Sequence, residues 1–565
     1  MSDMRAGQAV IELLKIEQVR HVFGIVGSTF LDVLDVLYVL YDDKSVEYIN
    51  VRHEQGAAFM ADGLARVSGL PAACLVTAGP GATNLITGIA GAYVGHSPVV
   101  AIAGGPPLGH YNKDAFQELD LVAMLAPVTK LSIRIDSPQR IPELFRLALR
   151  TAMTGRKGPV FIDIPRDVLN DQTVTAELGE PSSYRPLYAS QPSPEAIADA
   201  VSVLRTSRRP LMLVGGGVTW AGANDLVRQL SADFGWPTIT AYGRNDAVPN
   251  DDPLYVGPLG RAGSPEAAAA CRRADVLLVV GSRLGNFTTF YDDRYIQPAT
   301  RIVQIDIDSR DLGRTYPVAV AIQADAGGTL AALRAALGRA GMARTSDEWR
   351  HEIGDLRTTR HARLVAERNL ASSPLKPQRV YAELRGALPP ETIVAIDAGA
   401  APAYGYDRLH FSRPRTFLTP LDLGTLGFAL PAALGAKLAR PEAPVLAIHG
   451  DGGFLMNVQE LETAVRHGIN AVTLVMNNNA WGSEKAYQKH FYNERYVGAD
   501  LGNPRFDRLA ELFGARGYYV EHPDQIGDVV RSALGAGAPA VIEIPIDPNE
   551  FPAPATSARR RGKEA

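Results

Sequence analysis

The hexapeptide His449-Gly-Asp-Gly-Gly-Phe454 follows the apolar run 445–448, and Asn477-Asn478-Asn479 follows a second apolar run, 472–476. Glycines at a strand-to-helix turn let the backbone approach an anion, and the free amides of a helix start favour phosphate. Asp451 and Asn478 supply hard oxygens of the kind that magnesium takes, and a backbone carbonyl such as that of Ala480 completes the protein's share. A Gly-Asp-Gly by itself is usually only a turn. The asparagines after a second strand make Asp451, Gly452, Gly453, Asn478 and Ala480 a candidate diphosphate and Mg2+ site.

These residues need parallel strands to hold them. Short apolar runs bounded by glycine and proline recur at 73–77, 99–103, 160–164, 211–214, 276–280, 302–305, 393–396, 445–448, 472–476 and 541–544, with helical patterns between them. Strands alternating with helices predict an α/β protein built from doubly wound parallel sheets. Low-order stretches near 170–192 and a charged helical stretch near 339–377 leave three blocks: 1–170, 190–340 and 375–548, followed by a basic tail, 549–565. The first and third blocks end alike, in Gly158-Pro-Val-Phe-Ile-Asp-Ile-Pro165 and Ala538-Pro-Ala-Val-Ile-Glu-Ile-Pro545. Two such octapeptides at matching ends predict duplicated sheets that flank a different middle unit and share a site.

Length and composition set the outer bounds. At roughly 150 residues per domain, 565 residues allow about three to four domains. With 46% hydrophobic residues, 21% charged residues and a net charge of -4, the chain reads as neither disordered nor a nucleic-acid binder. Cys74 and Cys271 are too few for a disulfide framework or a cysteine-based zinc site. No apolar run reaches the roughly 18 residues of a membrane span and Met1-Ser-Asp-Met-Arg5 is not a signal segment, so a cytoplasmic protein with no membrane partner is expected.

Further motifs fill out a resemblance. Phe23-Gly-Ile-Val-Gly27, Arg52-His-Glu-Gln-Gly-Ala57, Gly79-Pro-Gly-Ala-Thr-Asn84, Asp114-Ala-Phe-Gln-Glu118, Leu375-Lys-Pro-Gln378, Gly424-Thr-Leu-Gly-Phe-Ala-Leu-Pro431 and Glu494-Arg-Tyr496 run nearly from end to end. With the Gly-Asp-Gly and Asn-Asn pair, they resemble the thiamine-diphosphate enzymes of the acetolactate-synthase-like superfamily. The resemblance implies three units, pyrimidine-binding, central nucleotide-binding-like and diphosphate-binding.

It also implies roles. Glu54 would hydrogen-bond N1′ of the aminopyrimidine and favour the imino tautomer that deprotonates the thiazolium. Leu426 would wedge between the two rings, the Gly424 carbonyl would accept from the 4′-amino group, and Pro80 and Asn84 would line the pyrimidine pocket. Gly399, Ala400 and Ala401 would approach the diphosphate, and Gln117 would lie over the thiazolium. Because the two half-sites face each other across subunits in this superfamily, a homodimer or a dimer of dimers is implied. In the middle block, Gly215-Gly-Gly217 and Asp306-Ile-Asp308 suit a nucleotide, and ADP or an empty site is expected ahead of FAD.

Departures from the pattern bear on the reaction. Acetolactate synthases carry an arginine for the acceptor carboxylate where this chain has Phe287, and a tryptophan where it has Tyr487. An apolar ring cannot neutralise a carboxylate. The tail contains Arg559, Arg560 and Arg561, which could close over the phosphates of an acyl-CoA. These features predict a carbon-carbon lyase that cleaves a 2-hydroxyacyl-CoA to formyl-CoA and a ketone or aldehyde, with Glu494 or the cofactor's imino group taking the hydroxyl proton. An acetolactate-synthase-like carboligase or a 2-ketoacid decarboxylase is the alternative, with oxalyl-CoA decarboxylase and sulfoacetaldehyde acetyltransferase as further options. A non-catalytic sensor would be expected to lack Glu54 or Asp451, and both are present.

Overall fold

The computed structural model describes residues 2–41 and 44–552. Among the described residues, three six-stranded parallel sheets carry helices on both faces, and a two-stranded antiparallel sheet pairs Ser2–Arg5 with Thr173–Ala176. The first holds β1 (His21–Gly24), β2 (Glu47–Asn50), β3 (Ala72–Val76), β4 (Val99–Gly105), β5 (Ser132–Arg134) and β6 (Val160–Pro165), in the order β2-β1-β3-β4-β6-β5. The middle sheet holds β7 (Pro210–Val214), β8 (Thr238–Thr240), β9 (Tyr255–Pro258), β10 (Val276–Val280), β11 (Arg301–Asp306) and β12 (Val320–Gln323), in the order β9-β8-β7-β10-β11-β12. The third holds β13 (Ile393–Ile396), β14 (Phe417–Leu418), β15 (Val445–Gly450), β16 (Val472–Asn477), β17 (Arg516–Tyr519) and β18 (Ala540–Pro545), in the order β14-β13-β15-β16-β18-β17. The outer sheets therefore share one topology, as their matching octapeptides predict. The middle sheet has the dinucleotide-binding order, which reverses between β7 and β10.

The two outer sheets pack directly on each other. Helix α1 (Glu54–Ser68) crosses the helix Ala429–Ala439 so closely that a Cβ on Gly63 would strike the Ala432 carbonyl, and one on Gly435 the Met60 carbonyl. Phe59 meets Phe428 edge to face at 5.5 Å. One apolar cluster runs from Phe23 and Phe161 through both helices to Ile393 and Val541. Arg66 is 5% exposed, pairs with Asp62 at 2.6 Å and donates to the Thr419 carbonyl at 2.6 Å, which ties the first sheet to the third.

The charged stretch between the middle and third sheets is the 20-residue helix Asp347–Ala366. Ser346 caps it by accepting from the Trp349 N–H. Among the described residues, no helix is long and apolar enough to cross a membrane.

Candidate active site

Parallel register assembles the candidate diphosphate cradle. Ile396 pairs with Ile448 across β13 and β15, and Gly450 with Met476 across β15 and β16, so Gly399, Asp451 and Asn478 leave adjacent strands at the same level. The cradle lies where the strand order reverses, between β13 and β15. One small cavity is lined by Gly399, Ala400, Ala401, Leu426, Asp451–Gly453, Asn478 and Ala480, all of them sequence candidates. Gly424 stands just outside it at φ +67°, ending the turn that leads to Leu426.

The cradle fits an anion held through a cation. Among its lining residues there is no lysine, arginine or histidine, so backbone amides and Asp451 would face a diphosphate with no basic side chain to balance either. Asp451 is 2% exposed, and burial raises its pKa. Its Oδ2 accepts from the Ala480 N–H at 3.1 Å and from Asn503 Nδ2 at 2.7 Å. A divalent ion would relieve that buried charge, with Asp451, Asn478 and the Ala480 carbonyl as the donor set. The motif glycines have a second reason to be glycine: a Cβ on Gly452 would lie 2.5 Å from the Trp481 ring, and one on Gly453 2.5 Å from Asp397 Oδ2.

The buried pair Asp397–His449 holds the cradle together, and sequence reasoning gave it no role. His449 Nδ1 lies 2.7 Å from Asp397 Oδ2, while its Nε2 accepts from the Leu430 N–H at 2.8 Å, which leaves the proton on Nδ1. Asp397 also accepts from the Gly427 and Phe428 N–H groups at 2.9 and 3.2 Å, so the segment carrying Leu426 is fixed to the strand ends. The only signal in the sequence is an acid at the end of an apolar run, Ile396-Asp-Ala-Gly399.

The second cluster sits on the first sheet. Glu54 opens α1, is 6% exposed, and accepts from Asn84 Nδ2 at 2.9 Å. The start of α1 is capped by His53, whose Nδ1 accepts from the Gln55 N–H at 3.1 Å, and Glu460 accepts from the N–H groups of Arg52 (3.2 Å) and His53 (3.0 Å) just before the helix, leaving the Glu54 carboxylate free of that task. Burial pushes the Glu460 pKa up to about 7. Thr77 Oγ1 donates to Gln117 Oε1 at 3.2 Å, so Gln117 joins this cluster. Gln117 has φ +61°, a left-handed conformation that costs a non-glycine residue energy and is concentrated at functional sites. Pro80 begins the next helix, Pro80–Gly95, beside them.

The structure keeps the two clusters apart within one chain: Glu54, Pro80, Asn84 and Gln117 do not line the cavity that Asp451 lines. Glu494 joins neither. It lies exposed in the turn after the helix Gly482–Phe491, at φ +59°. Tyr487 is 38% exposed and stacks on Phe491. Arg559, Arg560 and Arg561 lie outside the described residues.

Three family models match the chain: the N-terminal thiamine-pyrophosphate binding domain at residues 4–124, the central domain at 197–333 and the C-terminal binding domain at 397–544. The chain is 36% identical over 560 residues to a probable acetolactate synthase large subunit of Methanocaldococcus jannaschii, covering 97% of this chain and 93% of that one. The chain belongs to the acetolactate-synthase-like thiamine-diphosphate enzymes. It is also 34% identical to a sulfoacetaldehyde acetyltransferase of Alcaligenes xylosoxydans (96% of this chain, 93% of that one) and 33% identical to the acetolactate synthase isozyme 2 large subunit of Escherichia coli (96% of each).

As in other chains of the acetolactate-synthase-like family, a central unit separates the two binding sheets. Its cleft of about 470 Å3 opens where the order of the middle sheet reverses. Gly215 and Gly217 press against Gly281, so their small size serves loop packing as much as ligand approach. Asp306, pushed up to about 6 by burial, lines the cleft together with Asp311, Asp325 and Asp422, whereas Asp308, held down to about 2 by Arg310 and Arg156, does not. Arg156, Lys157, Arg244 and Arg283 supply positive charge there.

Proposed function

We propose that the chain is a carboligase that removes CO2 from a 2-ketoacid and passes the remaining fragment to a second carbonyl compound. The observation that carries this reading is Arg261, whose guanidinium lies 4.7 Å from the centre of the Phe287 ring. The Phe287 N–H donates to Asp422 Oδ1 at 3.3 Å, which docks this segment four residues before Leu426. Arg283 reaches Asp422 at 3.6 Å. Residue 287 carries no charge, yet cations stand around it, and the sequence-based objection to an acidic substrate loses its force. The name acetolactate synthase, carried by several relatives, supports the carboligase, while sulfoacetaldehyde acetyltransferase names another group transfer.

Bound thiamine diphosphate would supply a carbanion that adds to a carbonyl and an electron sink for the bond that breaks. Glu54 would share a proton with N1′ of the pyrimidine, at a buried carboxylate oriented by Asn84. Asp451, Asn478 and the Ala480 carbonyl would hold Mg2+, amides from Gly399–Ala401 and Gly450–Gly453 would receive the diphosphate, and Leu426 would fill the space between the rings. Gln117 and Tyr487 would face the substrate. Because Glu54 and Asp451 stand apart within one chain, the complete site would form between two chains, in a homodimer or a dimer of dimers. Exposed apolar side chains beside each half-site, Val26 and Phe116 at one and Leu455 and Met456 at the other, favour such a contact. The central cleft would take ADP.

A 2-hydroxyacyl-CoA lyase is the second reading, favoured by the path of the C-terminus. Glu550 is anchored by Gln378 at 2.7 Å and Lys376 at 3.2 Å, and Phe551 packs toward Gly482 at the cradle, so the basic tail starts at the site's edge. One experiment tests both: supply the protein with thiamine diphosphate and Mg2+, then assay it with pyruvate alone, pyruvate with a second ketoacid or aldehyde, sulfoacetaldehyde with phosphate, and 2-hydroxyacyl-CoA. Acetolactate or another ligation product supports the carboligase. Formyl-CoA without any product from pyruvate overturns it in favour of the lyase.

A further inference from the structure

A second large cleft, about 620 Å3 in volume, lies away from both half-sites. It is bounded by the helix Asp347–Ala366, the start of β9, the C-terminal end of the helix Pro377–Ala387 and the start of β13, and it shares no lining residue with the central cleft. Arg357, Arg360, Arg368, Arg385, His361 and His410 line it, and no aspartate or glutamate does.

The spacing of these residues is informative. Residues 357, 360, 361, 364 and 368 follow one another by three, one, three and four, which puts them on one face of the connecting helix and the turn that extends it. On a helix laid against a protein, that face is normally apolar. Here only Leu364 and its neighbour Val365 are, and Arg385 faces them from another helix.

Most of this charge is unmatched. Arg360 is the one paired arginine, bonding Asp407 at 2.9 Å. Arg357 donates to the main-chain carbonyls of Tyr255 (3.0 Å) and Asp252 (3.3 Å), and Arg385 to those of Leu364 (2.8 Å) and Arg408 (3.4 Å). Carbonyls satisfy the donors without cancelling the charge. Arg368 makes no ion pair among the described residues. Of the nearby carboxylates, Asp407 is shared between Arg360 and Arg363, Glu367 pairs with Arg408, and Asp251 and Asp252 act on His410 and Arg357 from outside the cleft wall without an ion pair to either. Thr392 adds an independent sign of a missing ligand. It lines the cleft, is 4% exposed, and its Oγ1 is buried without a hydrogen-bond partner.

We propose that this cleft binds a small polyanion carrying two or more phosphate groups. Planar guanidinium forks on two facing helices match phosphate oxygens in pairs, the Thr392 hydroxyl supplies one more donor, and the volume falls in the range of small-molecule sites. Bound there, the ligand bridges the connecting helix and the third sheet.

The test is calorimetric titration of inorganic tripolyphosphate into the full chain, saturated with thiamine diphosphate and with Mg2+ in excess of both phosphates. One site per chain is expected. Arg368→Ala and Arg385→Gln should each weaken it about tenfold, the loss of one charge-assisted contact, and Arg368→Glu should abolish it. Arg368 is exposed, so its variants leave the fold intact. Wild-type affinity in Arg368→Glu would overturn the proposal. So would loss of binding on Arg283→Gln, which lies in the central cleft, or the absence of any saturable heat in the wild type.

Discussion

The first and third sheets share a strand order and a helix crossing, and they part company at one helix. After β3 the chain makes a single helix of 16 residues, Pro80–Gly95. After β15 the corresponding segment is broken into Asp451–Leu455 and Glu460–Arg466. The unbroken helix brings Asn84 to Glu54 and builds a carboxylate end. The broken one leaves a short helix start at the strand tips, with Asp451 in its first turn, and builds an anion end. The second piece then reaches across to the first sheet, where Glu460 accepts from the N–H groups of Arg52 and His53 at the turn that leads into α1. One scaffold thus presents a buried carboxylate at one end and a helix start with a buried aspartate at the other by interrupting a helix; on the proposed function, each end would need the other.

The acids of the matching octapeptides make the same comparison at finer scale. Asp163 accepts from Arg134 at 2.7 Å and from the Tyr111 hydroxyl at 3.2 Å, steadying the loop that leads to Gln117. Glu543 accepts from Asn477 Nδ2 at 2.9 Å, steadying the turn that carries Asn478. Equivalent strands thereby position the loops of opposite half-sites.

The sharpest break of the comparison is Glu54→Gln. It should cut turnover by about a thousandfold while thiamine-diphosphate binding, followed by calorimetry, stays within a few-fold of wild type. Asp451→Ala should act in the opposite sense, weakening cofactor affinity about a hundredfold and the response to added Mg2+ with it. The helix crossing should treat its two sides alike: Gly63→Ala and Gly435→Ala each force a Cβ into a carbonyl of the partner helix and should each cost about 1–3 kcal/mol in denaturant unfolding. A large asymmetry between them would break the comparison of the two sheets.

Glu543→Gln should raise the cofactor concentration needed for half activity about tenfold, whereas Asp163→Asn should leave that concentration unchanged and lower turnover.

The smallest effect concerns pH. The folded Glu460 pKa, about 7, is raised above the ordinary 4.5, so the folded state holds this proton more tightly than the unfolded chain does. That contribution is complete below about pH 4.5 and is lost as pH rises through 7. Melting temperature measured from pH 5 to 8 should fall more steeply in the wild type than in Glu460→Gln.

Much of this was legible in the residues. Alternating apolar runs gave the three sheets, and the matching octapeptides gave the duplication, because buried parallel strands leave strong local signatures. Asp451 and Asn478 could be found because they stand immediately after such strands. Asp397, Glu460 and Asn503 could not, since each acts on groups brought near only by register or by the packing of the outer sheets. Arg261 beside Phe287 was hidden for the same reason. A substitution says what a position lacks, and only the fold shows that Arg261 stands over the ring.

The crossing at Gly63 and Gly435 also sets a timetable for synthesis. The apolar face of α1 is completed by a helix that lies about 370 residues further along the chain. At about 5–20 residues per second, the ribosome takes roughly 20–75 s to deliver it. Through that interval the first sheet carries an uncovered apolar helix, and its folding closes only once the third sheet has emerged.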